Sequence, residues 1–168
     1  MVAAPAAVLL LAALLAASPD ASADEPVVDR LEAVTADGRR VAALAVPRGS
    51  GWCLHWNHSV TGDPVVDCYV NDAGRMTLSH AIQPDFAAGL GHFPGRGVFR
   101  AGPDGTYLID DIDEPVPGNA YVLRVGSTAV DHRLVADDGR IAPLSAVAAG
   151  SRVILRLVPG RATGEARP

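Results

Sequence analysis

The chain has 168 residues, a formal net charge of −5 and only 5% aromatic residues, although 49% of it is hydrophobic. That length suits one small domain with a real core. A mildly acidic balance without a basic cluster along the sequence argues against nucleic acid or anionic lipid as a partner, and so few aromatics argue against a base-stacking surface.

From Met1 to Ala17 no side chain is charged, and Val8 to Ala17 form an Ala/Leu-rich core. Pro19 then ends any helix, and Ala21-Ser22-Ala23 offers the small residues that signal peptidase accepts before Asp24. The expectation is a cleavable signal peptide at residues 1–23. The leader is atypical in lacking Lys or Arg, and it is shorter than the roughly 20 apolar residues of a membrane span. With no Cys near the cleavage site, no lipid anchor is expected. The protein is therefore read as exported, periplasmic or extracellular.

Beyond the leader, short β-like runs alternate with turn chemistry. The expected strands are Val27–Thr35, Arg40–Val46, Trp52–Val60, Val65–Asn71, Arg75–His80, Gly97–Arg100, Thr106–Asp110, Tyr121–Val125, His132–Val135 and Arg152–Val158. Asp37-Gly38, Asp72-Ala73-Gly74, Asp104-Gly105 and Asp138-Gly139 separate them, because Gly accepts the positive φ of tight turns and Asp tolerates it. This punctuation predicts an all-β fold over residues 24–158, a small antiparallel β-sandwich or partly open barrel. The stretch Gln83–Pro94 reads as an irregular loop, and residues 159–168 as a disordered tail.

The most informative segment is Trp52–Val60, followed by Thr61-Gly-Asp-Pro64 and Val65–Val70. Alternation puts Trp52, Leu54, Trp56, His58 and Val60 on one face, with Cys53, His55, Asn57 and Ser59 on the other. A two-residue turn at Gly62-Asp63 would set His58 across from Asp67 and Trp56 across from Tyr69, close enough to interact. Two thiols in an exported protein normally pair. Yet this register separates Cys53 from Cys68 by about 13 Å along the strand, too far for a disulfide. A disulfide would instead centre the hairpin between Val60 and Thr61, with His58 facing Asp63. Both alternatives stay open.

Trp56-x-His58-Ser59-Val60, Asp67-x-Tyr69, the Phe86-Ala-Ala-Gly89-Leu90-Gly91 loop and Asp131-His132-Arg-Leu134 together resemble a bacterial family of unknown function. Its members are small exported or membrane-tethered proteins, often encoded beside TAXI-type TRAP transporters for organic acids. The chain carries Asp67 where Glu is commoner and Ala87-Ala88-Gly89 where Gly-Ala-Gly is usual. The resemblance implies a genomic association with such transporters. The reading adopted is a non-enzymatic accessory or small-ligand-binding module outside the cytoplasm, with a membrane transporter or a small organic acid as partner. It transfers no catalytic residue and no cofactor.

The candidate ligand-binding residues are His58, Asp67, Trp56, Tyr69, Phe86, Gly89, Leu90, Gly91 and His132. The backbone amides of the Phe86–Gly91 loop offer a nest for an anion. A hydrolase built on Ser59, His58 and Asp67 has the right residue types, but neighbours on a strand point to opposite faces, and no Gly-x-Ser-x-Gly elbow is present. A metal-binding protein is the other alternative. Among the five histidines, however, the His55-x-x-His58 spacing splits the rings between faces, and no recognised zinc or EF-hand pattern occurs. Asp110–Glu114 reads as a solvated acidic edge.

Overall fold

Short runs in which every second side chain is apolar bury one face only, so they must pair into sheets that stack. A computed structural model describes residues 27–84, 94–102 and 105–160, and it has this arrangement. Among the described residues, two antiparallel sheets of four and eight strands form, neither closed into a barrel, with one short helix. The smaller sheet runs β2 (Arg40–Pro47), β1 (Val28–Thr35), β12 (Arg152–Val158), β9 (Ala120–Arg124). The larger runs β11 (Ile141–Pro143), β10 (Arg133–Ala136), β3 (Gly51–Asn57), β4 (Pro64–Asp72), β5 (Arg75–Gln83), β7 (Tyr107–Asp110), β6 (Val98–Ala101). A two-residue strand, β8 (Glu114–Pro115), pairs separately with β5, and the helix is α1 (Ser145–Ala148).

The ten expected strands match β1 to β7, β9, β10 and β12, with ends moved by a few residues. β8, β11 and α1 were not foreseen, because two to four residues are too few to display a period. The expected leader, the Phe86–Gly91 loop and residues 161–168 lie outside the described residues. Gly160, which the sequence reading puts in the tail, still touches the sheet. The Gly160 amide donates to Asp29 Oδ1 at 2.7 Å, and a Cβ on Gly160 would lie 1.8 Å from the Val28 carbonyl oxygen.

Between the sheets lies an apolar cluster in which Leu31, Val153 and Leu155 of the smaller sheet meet Trp52, Leu78 and Leu134 of the larger. Burying each such aliphatic side chain stabilises the fold by about 1.5–3 kcal/mol. A column of rings links the layers. Trp52 stacks on Tyr69 with centroids 5.6 Å apart, and Tyr69 stacks on Tyr121 of β9 at 5.5 Å.

The hairpin of β3 and β4 settles the register left open above. Cys53 lies directly opposite Cys68, and the two form a disulfide. The pair occupies a non-hydrogen-bonded site of the ladder, since the flanking exchange runs through Asn71 N–H to Ser50 and His58 N–H to Asp63. Opposed Cα atoms come closest at such sites, which lets a disulfide close across two strands. The expected pairing of His58 with Asp67 is therefore corrected: Asp67 faces Leu54, and His58 faces Asp63. Trp56 likewise faces Val65, while Trp52 takes the place opposite Tyr69.

The physical reason is the turn. Ser59 to Gly62 form a four-residue loop rather than the two-residue turn expected at Gly62-Asp63. The Gly62 amide donates to the His58 carbonyl at 2.9 Å, and Gly62 adopts φ 79°. The His58 ring closes the loop by accepting the Thr61 amide at 3.3 Å on Nδ1, with Thr61 Oγ1 at 3.1 Å. His58 is thus a local clasp on an exposed turn.

One further irregularity tunes the larger sheet. Between β4 and β5, Cys68 pairs with His80 but Tyr69 pairs with Leu78, so Ser79 is an extra residue in β5. Its hydroxyl donates to the Cys68 carbonyl at 3.0 Å, and its carbonyl accepts the Ile112 amide at 2.9 Å. The bulge resets the alternation, so that Leu78 and Ala81, three apart, both face the core.

Candidate functional site

Alternation along β4 turns Asp67 and Tyr69 to the inner face, where most carboxylates would not be placed. Asp67 retains 4% exposure, and its Oδ1 has no hydrogen-bond partner among the described residues. Burial pushes its carboxyl up to about 6, partly offset by the Arg96 guanidinium.

Arg96 is held between two glycines at positive φ, Gly95 (92°) and Gly97 (64°). A Cβ on Gly97 would come within 2.4 Å of the Asp110 carbonyl oxygen, so only glycine permits this path against β7. Arg96 is 8% exposed and forms an ion pair with Glu114 at 2.9 Å. The turn leading to Glu114 uses positive φ at Asp111 (52°) and Asp113 (47°), which tucks Ile112 inward and delivers Glu114 beside Arg96. Asp111, Asp113 and Glu114 are exposed, as expected of a solvated acidic edge, and of the acidic residues in that run Glu114 is the one that lines the cavity between the sheets.

These groups open onto a cavity of about 500 Å³ between the sheets. Asp67, Arg96 and Glu114 form its polar side, while Trp56, Tyr69 and Tyr121 supply aromatic walls. Burial, with the Asp67 charge behind it, pushes the Tyr69 phenol up to about 12. Burial also raises Tyr121 well above the ordinary tyrosine value, and its hydroxyl forms no well-shaped hydrogen bond among the described residues. Both phenols are O–H donors at any ordinary pH.

His132 closes another wall. Its ring stacks on Trp56 with centroids 5.8 Å apart, and Nδ1 accepts the Gly126 amide at 3.0 Å. An Nδ1 that accepts leaves the proton on Nε2, so the ring is neutral. Burial lowers its pKa in the same sense, against a small opposing pull from Asp131. The backbone is pinned too: the His132 amide donates to Ser145 Oγ at 2.8 Å, and its carbonyl accepts from Leu144 and Ser145 at the start of α1.

Four of the residues expected from sequence thus meet at one cavity: Trp56, Asp67, Tyr69 and His132. His58 stands apart on its turn, and Phe86, Gly89, Leu90 and Gly91 lie outside the described residues. Arg96 and Glu114 were missed. The available signal was Gly95-Arg-Gly97, a cation fixed between two residues that bend the chain.

The electrostatic character of the cavity follows from these parts. It holds one carboxyl that is costly to ionise, one buried cation with a half-exposed carboxylate partner, two phenol donors and a neutral imidazole. Such a set can present O–H and N–H donors to an acidic group while aromatic rings cover a carbon skeleton. No curated protein and no solved structure matches the chain. Residues 53–142, which run from the disulfide through the cavity walls to β11, match the family described as a domain of unknown function (DUF1850). Since that stretch spans more than half of the chain, the protein belongs to this DUF1850 family.

Proposed function

We propose that this protein is an extracytoplasmic, non-enzymatic module that binds a small organic acid in the cavity, as an accessory to a TRAP-type transporter. The observation that carries the reading is Asp67, a buried carboxyl with an unpartnered oxygen facing an aromatic-walled space beside Arg96. Native folds rarely leave a buried polar atom unmatched, and a ligand is one way to match it. When protonated, Asp67 donates to a ligand carboxylate, Arg96 supplies the positive field, and Tyr121 adds a second O–H. The Cys53–Cys68 disulfide supports an oxidising compartment, in keeping with the expected leader.

The alternatives that rely on His58 with Asp67, a hydrolase or a metal site, lose their geometric premise. Their strand positions differ by four residues, about 13 Å. The sulfurs of Cys53 and Cys68, which lie with His80 at ligand-like spacing, are consumed by the disulfide.

The test is calorimetry and thermal melting with a panel of aliphatic and aromatic carboxylic acids at pH 5.5 and 7.5. An acid present at 100 times its Kd raises stability by about 2.7 kcal/mol, a shift of several degrees. Binding should be tighter at the lower pH and should fall with Arg96→Gln and Tyr121→Phe. A panel in which no acid shifts the melt at millimolar concentration would refute the reading.

A further inference from the structure

The sequence contains no basic run, yet the smaller sheet gathers one. Alternation and register place the outward side chains of its strands in rows. Arg40, Val34, Ile154 and Val122 make one row across all four strands. Beside it lie Glu32 and Arg156, then Arg30, and on the other side Arg152 faces Arg124. Among the described residues this face therefore presents five guanidiniums against one carboxylate, in a chain whose net charge is −5.

That carboxylate is already saturated. Glu32 accepts from Arg30 at 2.7 Å, Arg40 at 2.8 Å and Arg156 at 2.9 Å, and the arginine stems leave its side chain only 4% exposed. The arginine side chains stay about half exposed. Arg124 and Arg152 are set directly opposite one another, an arrangement that costs stability unless an anion lies over it. Beyond Arg40 that row is aliphatic, and its far end is open: Val122 is 65% exposed and Ile154 44%.

We infer that this face docks on an anionic lipid surface. Guanidiniums pair bidentately with phosphate, and each one near such a surface adds to the attraction. The aliphatic row between them has a destination only in a layer with apolar material beneath its charged groups. A nucleic acid offers none, and the face carries no aromatic ring for stacking bases. Charge complementarity also orients the molecule, since the excess negative charge lies elsewhere on the chain.

The test is sedimentation of the exported protein, with the leader removed, on vesicles of phosphatidylcholine with and without phosphatidylglycerol. Retention should require phosphatidylglycerol and decline with added salt. Arg124→Gln with Arg152→Gln should bind these vesicles about 30-fold more weakly. Its melting temperature should hold or rise, because a repulsive pair is removed. Val122→Ser, at a position already open to solvent, should weaken binding severalfold. Equal retention on neutral vesicles would overturn the inference, as would unchanged binding by both folded variants. Capture by poly-glutamate with no binding to any vesicle would assign the face to an acidic protein and overturn it too.

Discussion

Replacing Asp67 by Asn should stabilise the protein at neutral pH, although a buried hydrogen-bonding group is conserved. Burial raises the carboxyl from 3.8 to about 6, so the folded state holds a proton that the unfolded chain has released. For an acid raised in this way, the favourable contribution is fully present below about pH 4. It is lost as pH climbs through about 6. The shift corresponds to about 3 kcal/mol at pH 7.5 and above. The Asn amide is itself incompletely satisfied in the same place, which reduces the expected gain to about 2 kcal/mol. Urea unfolding of parent and Asp67→Asn, followed between pH 4 and 8, reads this difference directly. Taking the difference also cancels Asp29 and Glu32, whose lowered pKa values tilt both profiles the opposite way at acid pH. The two curves should nearly coincide at pH 4 and diverge steadily to about pH 7. Parallel profiles over that range would mean that Asp67 is hydrated or paired, and the account of the cavity would fail.

Mass spectrometry of the native protein should find no free thiol, and Cys53→Ala with Cys68→Ala should cost about 3 kcal/mol, the chain-entropy value for a loop of this length. His58→Ala and Asp67→Ala should be additive to within about 0.5 kcal/mol in a double-mutant cycle, because neither side chain faces the other. In Glu32, hydrogen bonds from Arg30, Arg40 and Arg156 outweigh burial and hold the carboxyl at about 2, so its contribution is complete above about pH 4.5 and lost as pH falls through 2. Solvent around the half-exposed arginines limits that contribution, so Glu32→Gln should cost about 1–2 kcal/mol at pH 7, with a flatter acid limb in the unfolding profile. N-terminal sequencing of exported material should begin at Asp24; a start at Met1 or Val2 would refute the leader reading.

Strands were legible because each carries its own period, and a Gly beside an Asp marks where one ends. Pairing was not, because two registers of the β3–β4 hairpin satisfy the same alternation. The choice between them rested on whether the loop has two residues or four, and Gly62 fits either. Only the cysteines discriminated, since one register opposes them and the other parts them by four positions. Trp56, Asp67 and Tyr69 were singled out on the hairpin and His132 by the resemblance, and topology brought them together. Arg96 and Glu114 escaped notice because they enter from irregular segments where no period operates. The arginine face escaped for the opposite reason: its members sit on regular strands, but they are scattered from Arg30 to Arg156. A sheet gathers residues by register, which a linear search for charge runs does not see.

The ring contacts give the molecule its own optical readout. The chain has two tryptophans, and they occupy different surroundings. Trp52 is sealed at 1% exposure in the column with Tyr69 and Tyr121, so its emission should be blue, fed by energy transfer from the tyrosines and indifferent to additives. Trp56 lines the cavity against the flat of His132, where a protonated imidazole or an entering molecule alters its quantum yield. Substituting Trp52 by Phe would leave a single emitter on the cavity wall. Occupancy could then be followed in real time without attaching a dye.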